Sequence, residues 1–265
     1  MLGPLDVVIG GAAAALGPAR QRLVLAALAV SVGHLVPADR LVDLIWPDAP
    51  PAGARHTLQQ YVSQLRRLLE PGRRPRTAPA VLVTRPPGYV LDVARNTVDA
   101  HRFEVLVDAG HRAAAAGAPD LAADRLAAAL SLWRGMPLAD LLPVPFVVRE
   151  TARLEELRLG AVELRIDAEL VLGRGAGVVA ELRALVATYP LRERLWGQLM
   201  VALYRSGRQA EALRAYQQIR RTLGEELGLE PGPSLRDLER AIVAQRSDAV
   251  GAWASGGLAG HPATR

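Results

Sequence analysis

Two adjacent prolines, Pro50-Pro51, divide the stretch Leu41–Arg67 (LVDLIWPDAPPAGARHTLQQYVSQLRR) into a short apolar helix, a proline-rich turn and a second helix. Proline lacks the backbone N–H and restricts the residue before it, so helix is blocked just upstream of Ala52. From there the chain runs to Glu70 without a proline, and Pro71-Gly72 stops it. At helical spacing Leu58, Val62, Leu65 and Leu69 form one stripe, flanked by Tyr61 and Leu68. The opposite face holds His56, Gln59, Gln60, Ser63 and Arg67, with Arg55 and Arg66 at its edge. Glutamine can pair bidentately with adenine and arginine with guanine, while serine, threonine and arginine also serve phosphates. The layout is that of a helix-turn-helix. An ordinary amphipathic surface helix has the same pattern, so this helix alone leaves both readings open.

The flanking segments narrow the choice. Leu2–Leu16 reads as strands or a hairpin, and Pro18–Val32 as a strongly apolar helix with Arg20 and Arg22 at its start and Gly33 as its C-cap. Pro37–Ile45 is a second, short helix and residues 52–70 the third. After the loop PGRRPRTAP come two apolar runs, Ala80–Thr84 and Tyr89–Val93, split by the turn Arg85-Pro86-Pro87-Gly88. A β–ααα–ββ order with a basic hairpin after the last helix predicts a winged helix. In that geometry the third helix enters the major groove and the wing, here with Arg85, reaches a phosphate or the minor groove. Charge follows the same division. Residues 1–96 carry 11 arginines against 6 acids, whereas residues 97–265 carry 21 of each. The local positive excess is what phosphate binding requires.

From Val98 to Arg246 strand signals vanish and apolar residues recur at helical spacing. Self-similarity appears at the tetratricopeptide period, clearest in YPLRERLWGQLMVALYRSGRQAEALRAYQQI. Its Trp196, Leu199, Gly207, Ala212 and Tyr216 follow the repeat's order of large, large, turn, small and aromatic. Weaker copies align Gly117 and Gly173 with Gly207, so three helix pairs are expected to stack as a solenoid, with an ordinary helical bundle as the alternative. Gly135–Phe146 (GMPLADLLPVPF) interrupts the repeat and is expected to pack as an extended segment. The Ala/Gly/Ser-rich stretch 247–265 is expected to be disordered.

Sites for chemistry are sparse. There is no cysteine and no lysine, which excludes thiolate catalysis, Cys-based zinc and an ordinary Walker A loop. None of the five histidines has metal-ligand spacing. Gly173-Arg174-Gly175-Ala176-Gly177 resembles a dinucleotide loop, but no strand precedes it. No GxSxG elbow occurs, and paired acids such as Glu155-Glu156 read as solvated helix faces. Neither an enzyme nor a cofactor is expected. No apolar run suits a bilayer and the N-terminus has no basic n-region, so a cytoplasmic, nucleoid-associated location away from membranes is expected.

The residues resemble the Streptomyces antibiotic regulatory protein (SARP) family. The carrying motifs are LGPLDV at 2–7, RQRLVLAALAV at 20–30, LVDLIWPDAPP at 41–51, RHTLQQYVSQLRRLL at 55–69 and TRPPGYVLDV at 84–93. In the second half they are ARLEELRLGAVELRIDAELVLGR at 152–174, YPLRERLWGQLMVALYRSGRQAEALRAYQ at 189–217 and LGEELGLEPGPSLRDLERAI at 223–242. The resemblance implies an α+β winged helix of the OmpR/PhoB type over 1–95, then an all-α, tetratricopeptide-like bacterial transcriptional activation domain over 98–246. It implies a transcriptional activator of a secondary-metabolite (antibiotic) gene cluster. Such a protein binds double-stranded DNA at direct repeats near the promoter, with protomers in contact on the DNA, and recruits RNA polymerase holoenzyme. Arg55, Thr57, Gln60, Ser63, Arg66 and Arg67 of the third helix, and Arg85 of the wing, would touch DNA. His56 and Gln59 join them from the helical-wheel reading. Gln64 departs from the arginine expected after the serine, which puts one phosphate contact in doubt. The chain starts almost at the first strand, so a shortened N-terminal edge is expected. Neither the nucleotide-binding ATPase domain of larger members nor a receiver domain is present in the sequence, so control by nucleotide or phosphorylation within this chain is not expected. The alternatives are a tetratricopeptide-type ligand sensor or a protein-interaction scaffold.

Overall fold

The structure is a computed structural model and describes residues 1–74 and 76–259. The chain divides into two compact units: Met1–Glu104 with Ser131–Arg158, and Val105–Leu130 with Leu159 onward. In the first, strand β1 (Val8–Ile9) turns at Gly10-Gly11 onto β2 (Ala12–Ala13), with Val8 opposite Ala13. Helix α1 (Ala19–Val30) follows. It is apolar all round, so it can fold only where it is covered on every side. Leu23 through Ala29 are buried, and α1 packs on α2 (Ala38–Ile45) and α3 (Ala54–Leu69). Between α1 and α2 lies a two-residue strand, β3 (Val36–Pro37). It pairs with β5 (Gly88–Leu91), which also pairs with β4 (Leu82–Arg85), in the order β3-β5-β4. The architecture is an α+β winged helix.

Several boundaries differ from the sequence expectation: the wing strands run Leu82–Arg85 and Gly88–Leu91, taking in Arg85 and Gly88 of the expected turn, and the helices shift as well. Helix α1 ends at Val30 rather than Val32. Pro37 belongs to β3 and caps α2 instead of starting it. Helix α3 begins at Ala54, after Gly53. Strand β3 was not foreseen, because two residues show no alternation and one of them is proline.

Residues 131–158 group with the first unit. The reason is backbone satisfaction at the N-terminal segment. Arg134 N–H donates to the Leu2 carbonyl at 2.7 Å, Leu138 N–H to the Gly3 carbonyl at 2.7 Å, and Leu5 N–H to Asp140 Oδ1 at 2.6 Å. Arg22 donates to the other oxygen of Asp140 at 2.6 Å. Residues 135–141 form bends and a turn rather than an extended segment, and Leu138, Leu141 and Phe146 are buried.

In the second unit lie the C-terminal part of α4 (Asp99–Ala115) and α5 (Pro119–Leu130). The rest of α6 (Pro145–Val171) follows, with α7 (Gly175–Thr188), α8 (Glu193–Arg205) and α9 (Gln209–Leu227). The last helices are α10 (Pro233–Val243) and α11 (Ser247–Ala259). Gly117, Gly173 and Gly207 fall in the turns after α4, α6 and α8 with φ of 69°, 76° and 74°. This left-handed conformation ends a helix at little cost only for glycine, which is why the repeat signal survives there. Trp196, Leu199, Ala212 and Tyr216 are all buried in the core of this unit. Helix α11 replaces the disorder expected at 247–259: Val250 and Ala254 are buried, and a Cβ on Gly197 of α8 would overlap the Trp253 ring. The remainder of the expected disordered tail, 260–265, lies outside the described residues.

One polar cluster sits inside this unit. Glu163 and Asp167 of α6 are fully buried. Arg192 Nε donates to Glu163 Oε1 at 2.8 Å, and Arg194 is ion-paired with Asp167. Gln198 Nε2 donates to the Glu163 carbonyl at 2.7 Å and to Asp167 Oδ1 at 2.8 Å. Burial pushes the Asp167 carboxyl up to about 6, despite the opposing pull of Arg194.

Two outcomes are expected. A Cβ at Gly88 would overlap the Val36 carbonyl oxygen and lie 2.7 Å from the Pro37 Cα. Gly88→Ala should therefore cost at least about 2 kcal/mol of stability by chemical denaturation. Because Asp167 holds its proton more tightly folded than unfolded, its contribution is fully present below the ordinary carboxylate range and is lost as pH rises through about 6. The stability of the native protein relative to Asp167→Asn should fall by about 2 kcal/mol between pH 4 and pH 7. A pH-independent difference would show that Asp167 titrates normally.

Candidate nucleic-acid interface

Helix α3 owes its orientation to its apolar stripe. Leu58, Val62 and Leu65 are buried, with Leu69, Tyr61 and Leu68 half-buried beside them. Its first turn is set by Ala54 N–H donating to the Pro51 carbonyl at 2.9 Å and Thr57 N–H to the Gly53 carbonyl at 3.0 Å. The turn before it is braced by an aromatic stack. Trp46, just past α2, lies on Tyr61 of α3 with centroids 6.4 Å apart and planes at 18°. The Arg20 guanidinium of α1 sits 5.8 Å from the Trp46 ring centroid. One cation and two rings thus link all three helices at the middle of α3.

The residues singled out from sequence separate into four groups. His56, Gln59, Gln60, Ser63 and Arg67 are all exposed along one face of α3, and Gln64 is exposed beside them. His56 and Gln60 share a hydrogen bond at 3.1 Å across one helical turn. Arg55 and Thr57 lie near the start of the helix, Thr57 half-buried and Arg55 exposed and ion-paired with Asp39 of α2. Arg66 does not join the exposed face. Its Nε donates to the Leu82 carbonyl at 2.8 Å and its Nη2 to Thr84 Oγ1 at 2.6 Å, both in β4. Its guanidinium lies 6.0 Å from the Tyr89 ring centroid in β5, and burial lowers its pKa. Arg85 is exposed at the wing tip, in a long 3.5 Å pair with Asp92.

Three supporting side chains went unnoticed in the sequence: Asp39, Thr84 and Tyr89. Each acts through a partner remote in the chain, so no local pattern marks it. The exposed row offers amide, imidazole, hydroxyl and guanidinium groups with the periodicity of one helix face, the groups that base edges and phosphates accept. Among the described residues no group of three His, Cys, Asp or Glu could hold a metal ion, and no helix is long and apolar enough to cross a membrane.

Comparison with known proteins agrees with both halves. Residues 13–91 match the family model described as transcriptional regulatory protein, C terminal, and residues 98–243 that described as bacterial transcriptional activator domain. Regulatory protein DnrI of Streptomyces peucetius is 43% identical over 246 residues, covering 92% of this chain and 90% of that protein. Transcriptional regulatory protein EmbR of Mycobacterium tuberculosis is 42% identical over 247 residues, and the alignment spans 93% of this chain but 63% of EmbR's length. The solved structure of M. tuberculosis EmbR in complex with a low-affinity phosphopeptide superposes with a TM-score of 0.89 at 41% identity, covering 96% of this chain and 68% of that one. An OmpR/PhoB-type winged helix joined to a helical transcriptional activator domain, shared with DnrI along nearly the whole of both chains, places this protein in the SARP family of DNA-binding transcriptional regulators.

Proposed function

We propose that this chain activates transcription of a secondary-metabolite gene cluster by binding direct repeats near the −35 region and recruiting RNA polymerase holoenzyme. The observation that carries the reading is the exposed row His56, Gln59, Gln60, Ser63 and Arg67, held away from the core by the buried stripe on the same helix. In this reading α3 lies in the major groove. Gln59, Gln60 and Ser63 face base edges, Arg55, Thr57 and Arg67 lie against phosphates, and Arg85 brings the wing to the neighbouring groove. Direct repeats set protomers side by side along one face of the duplex instead of about a two-fold axis. The excess of arginine over acid in residues 1–96 supplies the long-range attraction, which salt should weaken. The match of residues 98–243 to a bacterial transcriptional activator domain supports the polymerase role, and the likeness to DnrI along most of both chains supports a role in transcriptional regulation. Its place of work is then the nucleoid.

Electrophoretic mobility shifts over the promoters of the adjoining gene cluster test the reading. Specific retardation at moderate salt is expected, and its absence with folded protein would remove the proposal. Arg67→Ala should weaken binding about tenfold, leave the melting temperature unchanged and reduce the salt slope by about one. Unchanged affinity would show that this face of α3 is not the one on DNA.

A further inference from the structure

Arg66 comes from the recognition helix but spends its hydrogen bonds on the wing. Strand β4 is an edge strand, paired with β5 on one side only. The Val81 carbonyl accepts from Asp92 N–H at 2.7 Å, so by strand alternation the Leu82 carbonyl points away from β5 and has no partner within the sheet. Arg66 Nε fills that position at 2.8 Å. The same guanidinium reaches Thr84 Oγ1, two residues further along β4, at 2.6 Å, and lies against the ring of Tyr89 in β5. Nε–H and one Nη–H project from one edge of the planar guanidinium, a fork that matches two acceptors two residues apart on a strand. Lysine carries the same charge on a single nitrogen and cannot span them.

We infer that Arg66 is a positioning residue: it locks both wing strands to the last turn of α3 and so fixes where Arg85 is delivered relative to the exposed row of that helix. The inference rests on the reading of α3 and the wing as DNA-contacting surfaces. In it, Arg66 acts on DNA through Arg85 and not by direct contact.

The test uses the full chain and a duplex carrying the strongest site recovered by selection from random DNA. Affinities are measured for native protein, Arg66→Ala, Arg66→Lys, Arg85→Ala and the Arg66→Ala/Arg85→Ala double variant. Arg66→Ala and Arg66→Lys should weaken binding alike, by about tenfold. Arg85→Ala should cost about the same in the native background and less than about twofold once Arg66 is gone, because coupled residues are not additive. In free protein, deuterium uptake over residues 80–93 should rise in both Arg66 variants, with peptides from α8 and α9 unchanged. Thr84→Val removes one acceptor without disturbing α3, and should give a smaller rise in the same peptide even if an Arg66 variant folds poorly. Arg66→Lys near native affinity while Arg66→Ala is weak, or multiplicative losses in the double variant, would assign Arg66 to a phosphate and overturn the inference. Should native protein bind no duplex, the functional reading fails, and uptake over 80–93 still decides whether Arg66 holds the wing.

Discussion

Burial of Leu58, Val62 and Leu65 contributes about 1.5–3 kcal/mol for each side chain and fixes the rotation of α3 about its own axis. A turn of even one residue would carry a leucine into water and bring Gln59 or Arg66 against α1. The remaining arrangement of the first unit depends on that fixed rotation. Helix α1 can be apolar on all sides because α2, α3 and β5 cover it. The Trp46–Tyr61 stack and Arg20 then hold the middle of the helix, while Arg66 ties its end to β4. The polar row is therefore presented by a helix restrained at its middle and at its last turn.

The wing depends on a second close contact. At Gly88 the backbone of β5 comes so near β3 that no side chain fits between them. A two-residue strand contributes few hydrogen bonds, so much of its hold on the hairpin must come from this approach. Gly88 sits directly opposite Arg85 in the β4–β5 register, so the residue that allows the sheet to close is the neighbour of the one that reaches outward.

How much of this was legible in the sequence depended on whether the deciding contact was local. The stripe on α3 repeats within one helix, and the turn glycines 117, 173 and 207 repeat along the chain, so both could be read. Arg66 falls on the helical wheel between the stripe and the polar row; its direction is decided by Thr84 and Tyr89, 18 and 23 positions downstream. Strand β3 was too short for any period. At 247–259 a signal did exist, since Val250, Trp253 and Ala254 have helical spacing, but glycine, serine and alanine between them hid it. The insert after α5 and the first half of α6 misled in the opposite way. Their composition is helical or loop-like, but hydrogen bonds to Leu2, Gly3 and Leu5 draw residues 131–158 into the other unit.

That return of the chain bears on how the protein can be dissected. The polypeptide passes between its two units three times, at residues 104–105, 130–131 and 158–159. A fragment cut near residue 95, where sequence motifs place the end of the winged helix, would keep every residue of α3 and the wing. It would lose Asp140, the acceptor for both Leu5 N–H and Arg22, and the cover of Leu138. The excised piece would carry the reading surface with its N-terminal segment unfastened. A fragment that keeps the hydrogen bonds of the N-terminal segment closed must reach Asp140, past the first helix pair of the second half.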